Sequence, residues 1–296
     1  MGEGWEYAPS VKQSGEMDMA GSGEDPEALL GSRGEEHSPA ARPYTLAIDI
    51  GGTGLKASVL DASGTMVADR VRKATTYPMP PDGESGMVPT LAKLVRNLPR
   101  ADRISAGFPG MVRKGLVLSA PHFVTEKGPG SPTDDELAKA WDHFDLARGL
   151  TDAIGLPTRV ANDADVQGLA VVAGSGLELV ITLGTGFGTA LFLDGQLLPH
   201  LEIAHQPFRK GQTYNEQLGE QARKAAGDQR WRRRAMKAFH TLDALFFYDH
   251  LYVGGGNATR IKKDDFGDLA KRTSLVDNAA GILGGIKLWE DRHLGL

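Results

Sequence analysis

Over most of the chain, short apolar runs alternate with clusters of glycine and polar residues. Residues 44–48 and 57–60 are two such runs, and the glycine-rich segment 49–56 joins them. Two runs of strand length around a glycine-rich turn predict a β-hairpin. Residues 178–193 repeat this pattern around a second glycine-rich turn at 184–188. We therefore predict that the chain contains a duplicated unit.

The remaining apolar positions follow either strand or helix spacing, and their order predicts an α/β fold. Strands are predicted at 65–72, 103–108, 158–161 and 250–253, a hairpin arm at 112–118, a helix start at 133–136, and helices at 86–98, 144–154, 166–173 and 278–292. One more amphipathic helix is predicted from an apolar stripe near residue 240. The stripe consists of Met236, Phe239, Leu242 and Leu245.

Composition narrows the class of protein. Of the 296 residues, 41% are hydrophobic, which is enough for one large or two medium domains with a packed core. No cysteine is present, so disulfides and thiolate metal sites are excluded. No apolar run reaches the length of a membrane span, and the first residues show no secretory signal pattern. We therefore expect a cytoplasmic protein with no membrane partner.

The net charge of −5 is unevenly distributed. Residues 1–42 contain nine acidic and three basic residues and are rich in glycine, serine and proline. Such a segment buries too little apolar surface to offset the entropy that is lost on ordering. We therefore predict that residues 1–42 form a disordered acidic tail.

The first glycine-rich turn is a candidate phosphate site. Gly51, Gly52 and Thr53 follow a predicted strand, and glycine permits positive φ and a close approach of backbone N–H groups to an anion. Asp49, at the end of that strand, is placed to hold Mg²⁺ beside a phosphate. Lys56 either neutralises phosphate charge or faces solvent. Alone, this pattern fits an ordinary glycine-rich hairpin equally well.

Asn162 and Asp163 stand directly after a predicted strand, and the pair has two interpretations. A carboxylate at this place can accept the proton of a hydroxyl group that attacks phosphorus. Both residue types are also good helix N-caps, so the pair by itself fits a purely structural role as well. We predict that the nearby Asp165 is a capping or structural residue.

Segment 209–237 is strongly basic, with nine basic and three acidic residues in a protein that is acidic overall. Such a local positive charge can bind a linear polyanion by counterion release. The same residues also fit the solvated face of an amphipathic helix. Few aromatic residues are interleaved, so we do not expect a nucleic-acid partner. The candidate polyanion path comprises Arg209, Lys210, Arg230, Arg232, Arg233 and Arg234.

Five motifs, at 106–110, 160–168, 183–190, 199–205 and 208–214, together carry a resemblance to a known family. In order and type they resemble the sugar kinase, actin and heat-shock ATPase superfamily. Within it, the chain resembles the ROK sugar kinases, and most closely the polyphosphate glucokinases. The resemblance implies a two-lobed, ribonuclease H-like α/β fold. Its N-terminal lobe would span 43–157 and be completed by a C-terminal helix over 278–296, and its C-terminal lobe would span 158–277.

The resemblance also implies a function. It is the transfer of a phosphoryl group from inorganic polyphosphate, and also from ATP or GTP, to the 6-hydroxyl of glucose, with Mg²⁺ as cofactor and Asp163 as general base. The implied sugar-binding positions are Gly110, His122, Asn162, Asp163, Glu202, His205 and Glu216. The implied phosphate or nucleotide positions are Asp49, Gly51, Gly52, Thr53, Lys56, Gly184, Thr185, Gly186, Gly254, Gly255 and Gly256. Glu216 fits a solvated surface equally well, and His122 stands where many ROK kinases have asparagine.

One departure from the family narrows the prediction. Typical ROK kinases have a cysteine-rich zinc motif after a Glu-x-Gly-His motif, but no cysteine follows Glu202 and His205. We therefore predict no zinc site, a feature shared with polyphosphate glucokinases. The alternative is a strictly ATP-dependent hexose kinase. A sugar-sensing regulator is less favoured, because regulators of this family carry an N-terminal DNA-binding domain in place of the acidic segment. We expect a homodimer that acts in glycolysis.

Overall fold

The computed structural model describes residues 42–128, 130–276 and 283–290. The strands are β1 (Thr45–Ile50), β2 (Gly54–Leu60), β3 (Val71–Ala74), β4 (Arg103–Phe108), β5 (Val112–Arg113), β6 (Leu116–Val117), β7 (Phe144–Asp145), β8 (Thr158–Asn162), β9 (Leu177–Leu183), β10 (Phe187–Leu193), β11 (Gln196–Leu197), β12 (Pro207–Arg209), β13 (Gln212–Thr213), β14 (His250–Gly254) and β15 (Thr273–Leu275). The α-helices are α1 (Met87–Val95), α2 (Asp135–Trp141), α3 (Leu146–Ile154), α4 (Asp163–Val171), α5 (Tyr214–Leu218), α6 (Glu220–Ala226) and α7 (Asp228–Phe246). Short 3-10 helices cover Ile203–His205, Ala258–Arg260, Lys263–Arg272 and Gly284–Trp289.

The two five-stranded sheets share one architecture. The first has the order β3-β2-β1-β4-β8, and the second has the order β11-β10-β9-β14-β15. In each sheet, the first two pairings are antiparallel and the last two are parallel. The duplication that the repeated glycine-rich hairpins predicted is therefore confirmed in the topology.

This topology gathers the glycine-rich turns at the carboxyl edges of the sheets. In the first sheet β1, β4 and β8 are parallel, so the turn after Ile50 and the start of α4 at Asp163 lie at one edge. In the second sheet β9 and β14 are parallel, and they end at Leu183 and Gly254. Ligands of α/β proteins bind outside such edges, because several loops converge there.

Helix α4 packs between the two sheets and starts in the loops just described. Its apolar residues join side chains of the second sheet in one buried cluster that includes Ala164, Leu169 and Phe192. Gly168 lies so close to Phe192 that a Cβ atom would come within 2.5 Å of the ring. Because a larger residue has no room there, the position of α4, and with it Asp163, is set by close packing.

Two predicted elements differ from the structure. The strand predicted at 65–72 is mostly a bend, because Asp61 Oδ1 accepts hydrogen bonds from the N–H groups of Ser63 and Thr65, and β3 begins only at Val71. The predicted burial of Leu245 is also wrong. This residue is 64% exposed in the last turn of α7, and the buried face consists of Trp231, Ala235, Ala238, Phe239 and Leu242.

The division into lobes stays a prediction. Strand 158–162, predicted to begin the second lobe, pairs with β4 in the first sheet, and the contacts group Pro39–Leu296 into one compact unit. Residues 1–41 of the predicted tail, and 278–282 and 291–296 of the predicted terminal helix, lie outside the described residues. Within the described ranges, no helix has the length and apolarity needed to cross a membrane.

Candidate active site

A cavity of about 430 Å³, which we call the main cavity, lies at the carboxyl edges of both sheets. Its lining includes Asp49, Gly51, Gly52, Thr53, Lys56, Arg70, Gly110, His122, Asn162, Asp163, Gln167, Gly184, Thr185, Gly186, Glu202, His205, Asn215, Gly255 and Gly256. All the predicted sugar and phosphate positions except Gly254 and Glu216 are among them. The fold thus brings together residues that are up to about 200 positions apart in the chain.

Asn162 and Asp163 lie together at the start of α4, and Asn162 is its cap. Asn162 is the N-cap of α4: its Oδ1 accepts a hydrogen bond from Ala164 N at 2.8 Å, and its Nδ2 donates to Gly110 O at 3.0 Å. Asp163 Oδ1 also accepts from Ala164 N, at 2.9 Å, and the carboxylate faces the main cavity. Capping by Asn162 therefore holds the Asp163 carboxylate at the cavity wall.

The environment of Asp163 favours a protonatable carboxylate. Asp163 is exposed at the wall of the main cavity, and the protein around that wall still desolvates its carboxylate in part. This desolvation, and next the negative charge of Asp49, raise the pKa of Asp163 to about 7. A carboxyl group with a pKa near neutrality is well matched to accept a proton from a substrate hydroxyl.

Asp49 and Lys56 form an ion pair that also lines the main cavity. Lys56 Nζ donates to Asp49 Oδ2 at 2.8 Å, because the two residues are directly opposite each other in the β1–β2 hairpin. Lys56 thus lies at the cavity rather than on an unrelated solvent face. In the described ranges, no three acidic or histidine residues cluster as a metal cage. Mg²⁺ is usually held by one or two carboxylates plus substrate phosphates, so Asp49 and Asp163 fit this ion.

The glycine-rich turns offer backbone donors, although not in the predicted way. None of Gly51, Gly52, Gly184 and Gly186 has a positive φ, so that expectation is wrong, whereas Gly255 has a φ of 86°. The N–H group of the first glycine in each turn donates a hydrogen bond within the turn. Gly51 N donates to Gly54 O, and Gly184 N donates to Gly186 O, both at 3.0 Å.

The next residues in each turn have backbone N–H groups that are available to donate hydrogen bonds to a phosphate. Within the described part of the chain, the N–H groups of Gly52, Thr53, Thr185 and Gly186 have no backbone acceptor. Tyr77 Oη donates to Gly52 O at 2.6 Å and so fixes the first turn from outside the cavity. Free N–H groups in a fixed turn form a concave site for anionic oxygens.

Glu202, His205 and His122, three of the predicted sugar-binding residues, form a polar wall of the main cavity. Burial opposes ionisation of Glu202, but His200 and then His205 outweigh this effect and hold the pKa of Glu202 below its usual range. Burial, and next the neighbouring His205, lower the pKa of His122. The wall thus combines an anionic acceptor with imidazole groups, as hydroxyl recognition requires.

Two predicted site residues are not placed at the main cavity. Glu216 uses its carboxylate in a capping box at the start of α5, where Oε2 accepts from Thr213 N at 2.8 Å. Gly254 ends β14 and packs against the side chain of Val276. Its two neighbours, Gly255 and Gly256, line the cavity instead.

Sequence reasoning missed Arg70, which lines the main cavity next to the first glycine-rich turn. Its Nε is buried and has no hydrogen-bond partner among the described residues. No carboxylate in those ranges pairs with it, whereas Lys56 is paired with Asp49. Arg70 is therefore an unneutralised cation at a candidate phosphate site. No local pattern distinguishes it, because the bend before β3 alone brings it to the cavity.

Among the described residues, a second cavity of about 470 Å³, the cationic cavity, is lined by basic residues alone. These six are Arg209, Lys210, Arg230, Arg233, Arg234 and Lys237. The last four follow helical spacing along one face of α7, and the first two lie on the β12–β13 hairpin. None of the six pairs with a carboxylate in the part of the chain that the structure describes.

The structure separates these cations from other basic residues of segment 209–237. Arg232 was predicted to belong to the polyanion path, but it lies outside the cationic cavity. Its Nε is 3.5 Å from Asp265 Oδ2, and it donates to Arg260 O at 3.2 Å. Arg223 is likewise paired, with Glu220 and Asp228. Successive positions on a helix point about 100° apart, so neighbours in sequence face different partners.

Comparison with known proteins decides the family. The model described as "ROK family" matches residues 45–200, which is more than half of the chain. The chain belongs to the ROK family. Among its curated relatives, the polyphosphate glucokinase of Mycobacterium tuberculosis (strain ATCC 25177 / H37Ra) is 27% identical to this ROK protein over 257 residues, which cover 80% of this chain and 88% of the relative.

Solved structures support the same assignment. The structure of inorganic polyphosphate/ATP-glucomannokinase from Arthrobacter sp. strain KM matches this ROK protein with a TM-score of 0.68 and 30% identity, over 84% of this chain and 100% of that one. A ROK family glucokinase from Streptomyces griseus, in complex with glucose and AMPPNP, matches with a TM-score of 0.63 and 19% identity, over 83% and 98%. The second likeness concerns the fold alone. The predicted sugar-kinase fold is confirmed, and the family supports a kinase that acts on a sugar.

Proposed function

We propose that the protein is a glucokinase that transfers a phosphoryl group from inorganic polyphosphate to the 6-hydroxyl of glucose. The observation that carries this proposal is the cationic cavity, which has six basic residues and no carboxylate among the described residues of its lining. Unpaired cations of this density repel one another, so the cavity is suited to a polyanion. The relatives named above include a polyphosphate glucokinase and a polyphosphate/ATP-glucomannokinase.

The β12–β13 hairpin places the cationic cavity next to the main cavity. His205, just before the hairpin, lines the main cavity, and so does Asn215, just after it. Arg209 and Lys210, on the hairpin itself, line the cationic cavity. A donor that extends beyond three phosphates can therefore place its end in the main cavity while further phosphates contact the cations.

The chemistry in the main cavity follows from the residues at its wall. Asp163 accepts the proton of the glucose 6-hydroxyl as that oxygen attacks the terminal phosphorus of the donor. The proton thus moves to the carboxylate, and the shortened polyphosphate leaves. Arg70 and Lys56 offset charge on the transferred group, and the free N–H groups of the glycine-rich turns hold its oxygens. Asp49 would hold Mg²⁺, which would supply further positive charge against the phosphates of the donor.

A strictly ATP-dependent hexose kinase is the second candidate. Gly255 and Gly256 line the main cavity, and in Gly255 a positive φ combines with a backbone so close to Leu183 that no side chain fits. Such a glycine turn leaves a flat surface against which a nucleoside could pack. This candidate gives no role to the cationic cavity.

Parallel assays of the purified protein distinguish the two candidates. Glucose is supplied with long-chain polyphosphate, ATP or GTP at equal concentrations of phosphoryl donor groups, and glucose 6-phosphate is measured. We expect the highest kcat/KM with polyphosphate. Turnover with ATP alone would contradict the proposal and support the strictly ATP-dependent enzyme, and absence of turnover with every donor would contradict both.

The metal requirement gives a separate prediction. Removal of Mg²⁺ is expected to abolish turnover, because phosphoryl transfer requires a divalent cation against the phosphate charge. A chelator selective for zinc is expected to leave turnover unchanged, because no cysteine is present for a zinc motif. Both are measured by steady-state kinetics together with elemental analysis of the purified protein. Stoichiometric zinc whose removal stops turnover would contradict the prediction.

The pKa of Asp163 predicts the pH dependence. Only the ionised carboxylate accepts a proton, and its pKa in the free protein is raised to about 7. The value of kcat/KM for glucose should therefore be maximal above pH 7 and fall about tenfold per pH unit below it. An ordinary aspartate would shift this limb down to about pH 4. A profile that stays flat between pH 5 and 8 would show that Asp163 is not the base or has an ordinary pKa.

A further inference from the structure

The imidazole of His200 lies between two carboxylates behind the polar wall of the main cavity. Its Nδ1 is 2.9 Å from Asp165 Oδ1, and its Nε2 is 3.9 Å from Glu202 Oε2. The side chains of His200 and Asp165 are each 4% exposed, whereas that of Glu202 is 24% exposed. A ligand in the cavity can therefore contact Glu202 directly but has no access to His200.

The charges in this group favour a protonated imidazole. Burial alone would lower the pKa of His200, but the hydrogen bond with Asp165 and the interaction with Glu202 outweigh it and raise the pKa to about 10. We assign the shared proton to His200, because the ring faces two carboxylates and, in the described ranges, no other cation is as close to either. A buried cation next to Glu202 keeps that carboxylate ionised and able to accept hydrogen bonds.

One polar atom in this group is unsatisfied. Nε2 of His200 is buried and has no hydrogen-bond acceptor among the described residues. The separation of 3.9 Å from Glu202 is too long for a hydrogen bond by about 1 Å. A buried donor without an acceptor is costly, so a small rotation of Glu202 toward His200 is favoured. One carboxylate oxygen would then be held by His200, and the other would remain free for a sugar hydroxyl.

We propose that His200 is a positioning residue for Glu202. Held by Asp165, it orients the Glu202 carboxylate for hydrogen bonds to sugar hydroxyls without touching the sugar itself. This inference rests on the proposed glucose site. Its physical basis is preorganisation: a binding group whose orientation is set by a second buried residue loses less entropy when the ligand binds.

Two substitutions of His200 separate its two contacts. In His200→Gln, the side-chain amide nitrogen reaches about as far as Nε2, so a donor toward Glu202 remains. In His200→Asn, the amide reaches only about as far as Nδ1, so the contact with Asp165 remains and the one with Glu202 is lost. We expect His200→Asn to weaken glucose binding, measured by calorimetry, about tenfold, and His200→Gln to retain most of the affinity. In steady-state kinetics, KM for glucose should rise, whereas kcat and KM for the donor should change less.

The decisive measurement is a double-mutant cycle with Glu202→Gln. If His200 acts through Glu202, adding His200→Asn to Glu202→Gln should change glucose affinity by less than about twofold. The proposal would be overturned if His200→Asn lowered glucose affinity equally with and without Glu202→Gln. It would also be overturned if His200→Asn lowered glucose affinity and the melting temperature and raised KM for the donor, all in parallel. If His200→Asn does not fold, His200→Ser combined with Glu202→Gln tests the same coupling, because serine also has no donor that reaches Glu202.

The outcome for the parent protein separates this inference from the proposed function. A parent that binds no glucose overturns both. A parent that binds glucose, together with a His200→Asn variant of equal affinity, overturns only the role of His200.

Discussion

Replacing Asp163 by asparagine is expected to lower kcat by at least about 10²-fold while glucose binding is largely retained. Asparagine keeps the shape of the side chain and an oxygen that can accept from Ala164 N, but it takes up no proton at neutral pH. General base catalysis contributes on the order of 10²–10⁴-fold, which sets the expected loss. Steady-state kinetics and calorimetry with glucose measure the two effects separately.

A matched control is Asp135→Asn. Asp135 is the first residue of α2, as Asp163 is the first residue of α4, and both are exposed. Asp135, however, lines neither cavity. The control removes the same charge from the same helix position and should leave kcat unchanged. Near-normal turnover in Asp163→Asn would remove this residue from the mechanism.

The melting temperature provides a second check on Asp163→Asn. The pKa of Asp163 in the folded protein is about 7 and exceeds the ordinary value of 3.8, so ionisation of this group destabilises the fold as the pH rises through that interval. Asparagine removes the penalty. The variant should therefore melt no lower than the parent at pH 8, and the difference should shrink at pH 5. A lower melting temperature at pH 8 would point to a folding defect instead.

The second large effect is expected when three cations of the cationic cavity are replaced together. The combined variant Arg230→Gln, Arg233→Gln and Arg234→Gln keeps helix propensity and much of the side-chain volume of α7. Loss of three phosphate contacts, each on the order of 1 kcal/mol, should raise KM for long-chain polyphosphate about 10²-fold. Fewer counterions are released per bound chain, so the slope of log KM against log salt concentration should fall by about 2.

The matched control is the combined variant Lys93→Gln, Arg96→Gln and Arg100→Gln. These three cations lie in α1 and just after it, are exposed, and line neither cavity. The control makes the same change in net charge and should leave the salt dependence for polyphosphate intact. KM for glucose should stay constant in both variants. Equal polyphosphate affinity and salt slope in the parent and the cavity variant would contradict the proposed donor path and favour ATP.

The candidate site shows where sequence reasoning succeeds. Asp49 and Asn162 lie at the ends of strands whose apolar pattern is clear, and Asp163 and the glycine-rich turns follow such strands directly. Their place at the carboxyl edges therefore follows from local structure. The residues also indicated the choice between capping and catalysis. In the structure Asn162 is the cap and Asp163 lines the main cavity, and the catalytic role of Asp163 stays a prediction.

Sequence reasoning was less successful where side chains in irregular segments select their partners. Glu216 turns back to cap its own helix, and Arg232 and Arg233, adjacent in sequence, face an acidic neighbour and an open cavity, respectively. Arg70 and His200 have no motif of their own, and their roles depend on residues far away in the chain.

By itself, the sequence determined the two hairpins, the parallel strands that follow them, the family, and the residue types at the strand ends. These features depend on the local period of apolar residues and on short motifs, which are readable without coordinates. Only the tertiary structure decided which charges are neutralised. Lys56 pairs with Asp49, whereas Arg70 has no carboxylate partner among the described residues. Six cations of segment 209–237 face one cavity, whereas Arg223 and Arg232 form ion pairs with carboxylates. Electrostatic interactions depend on distance and burial in space, and neither quantity is encoded in the spacing along the chain.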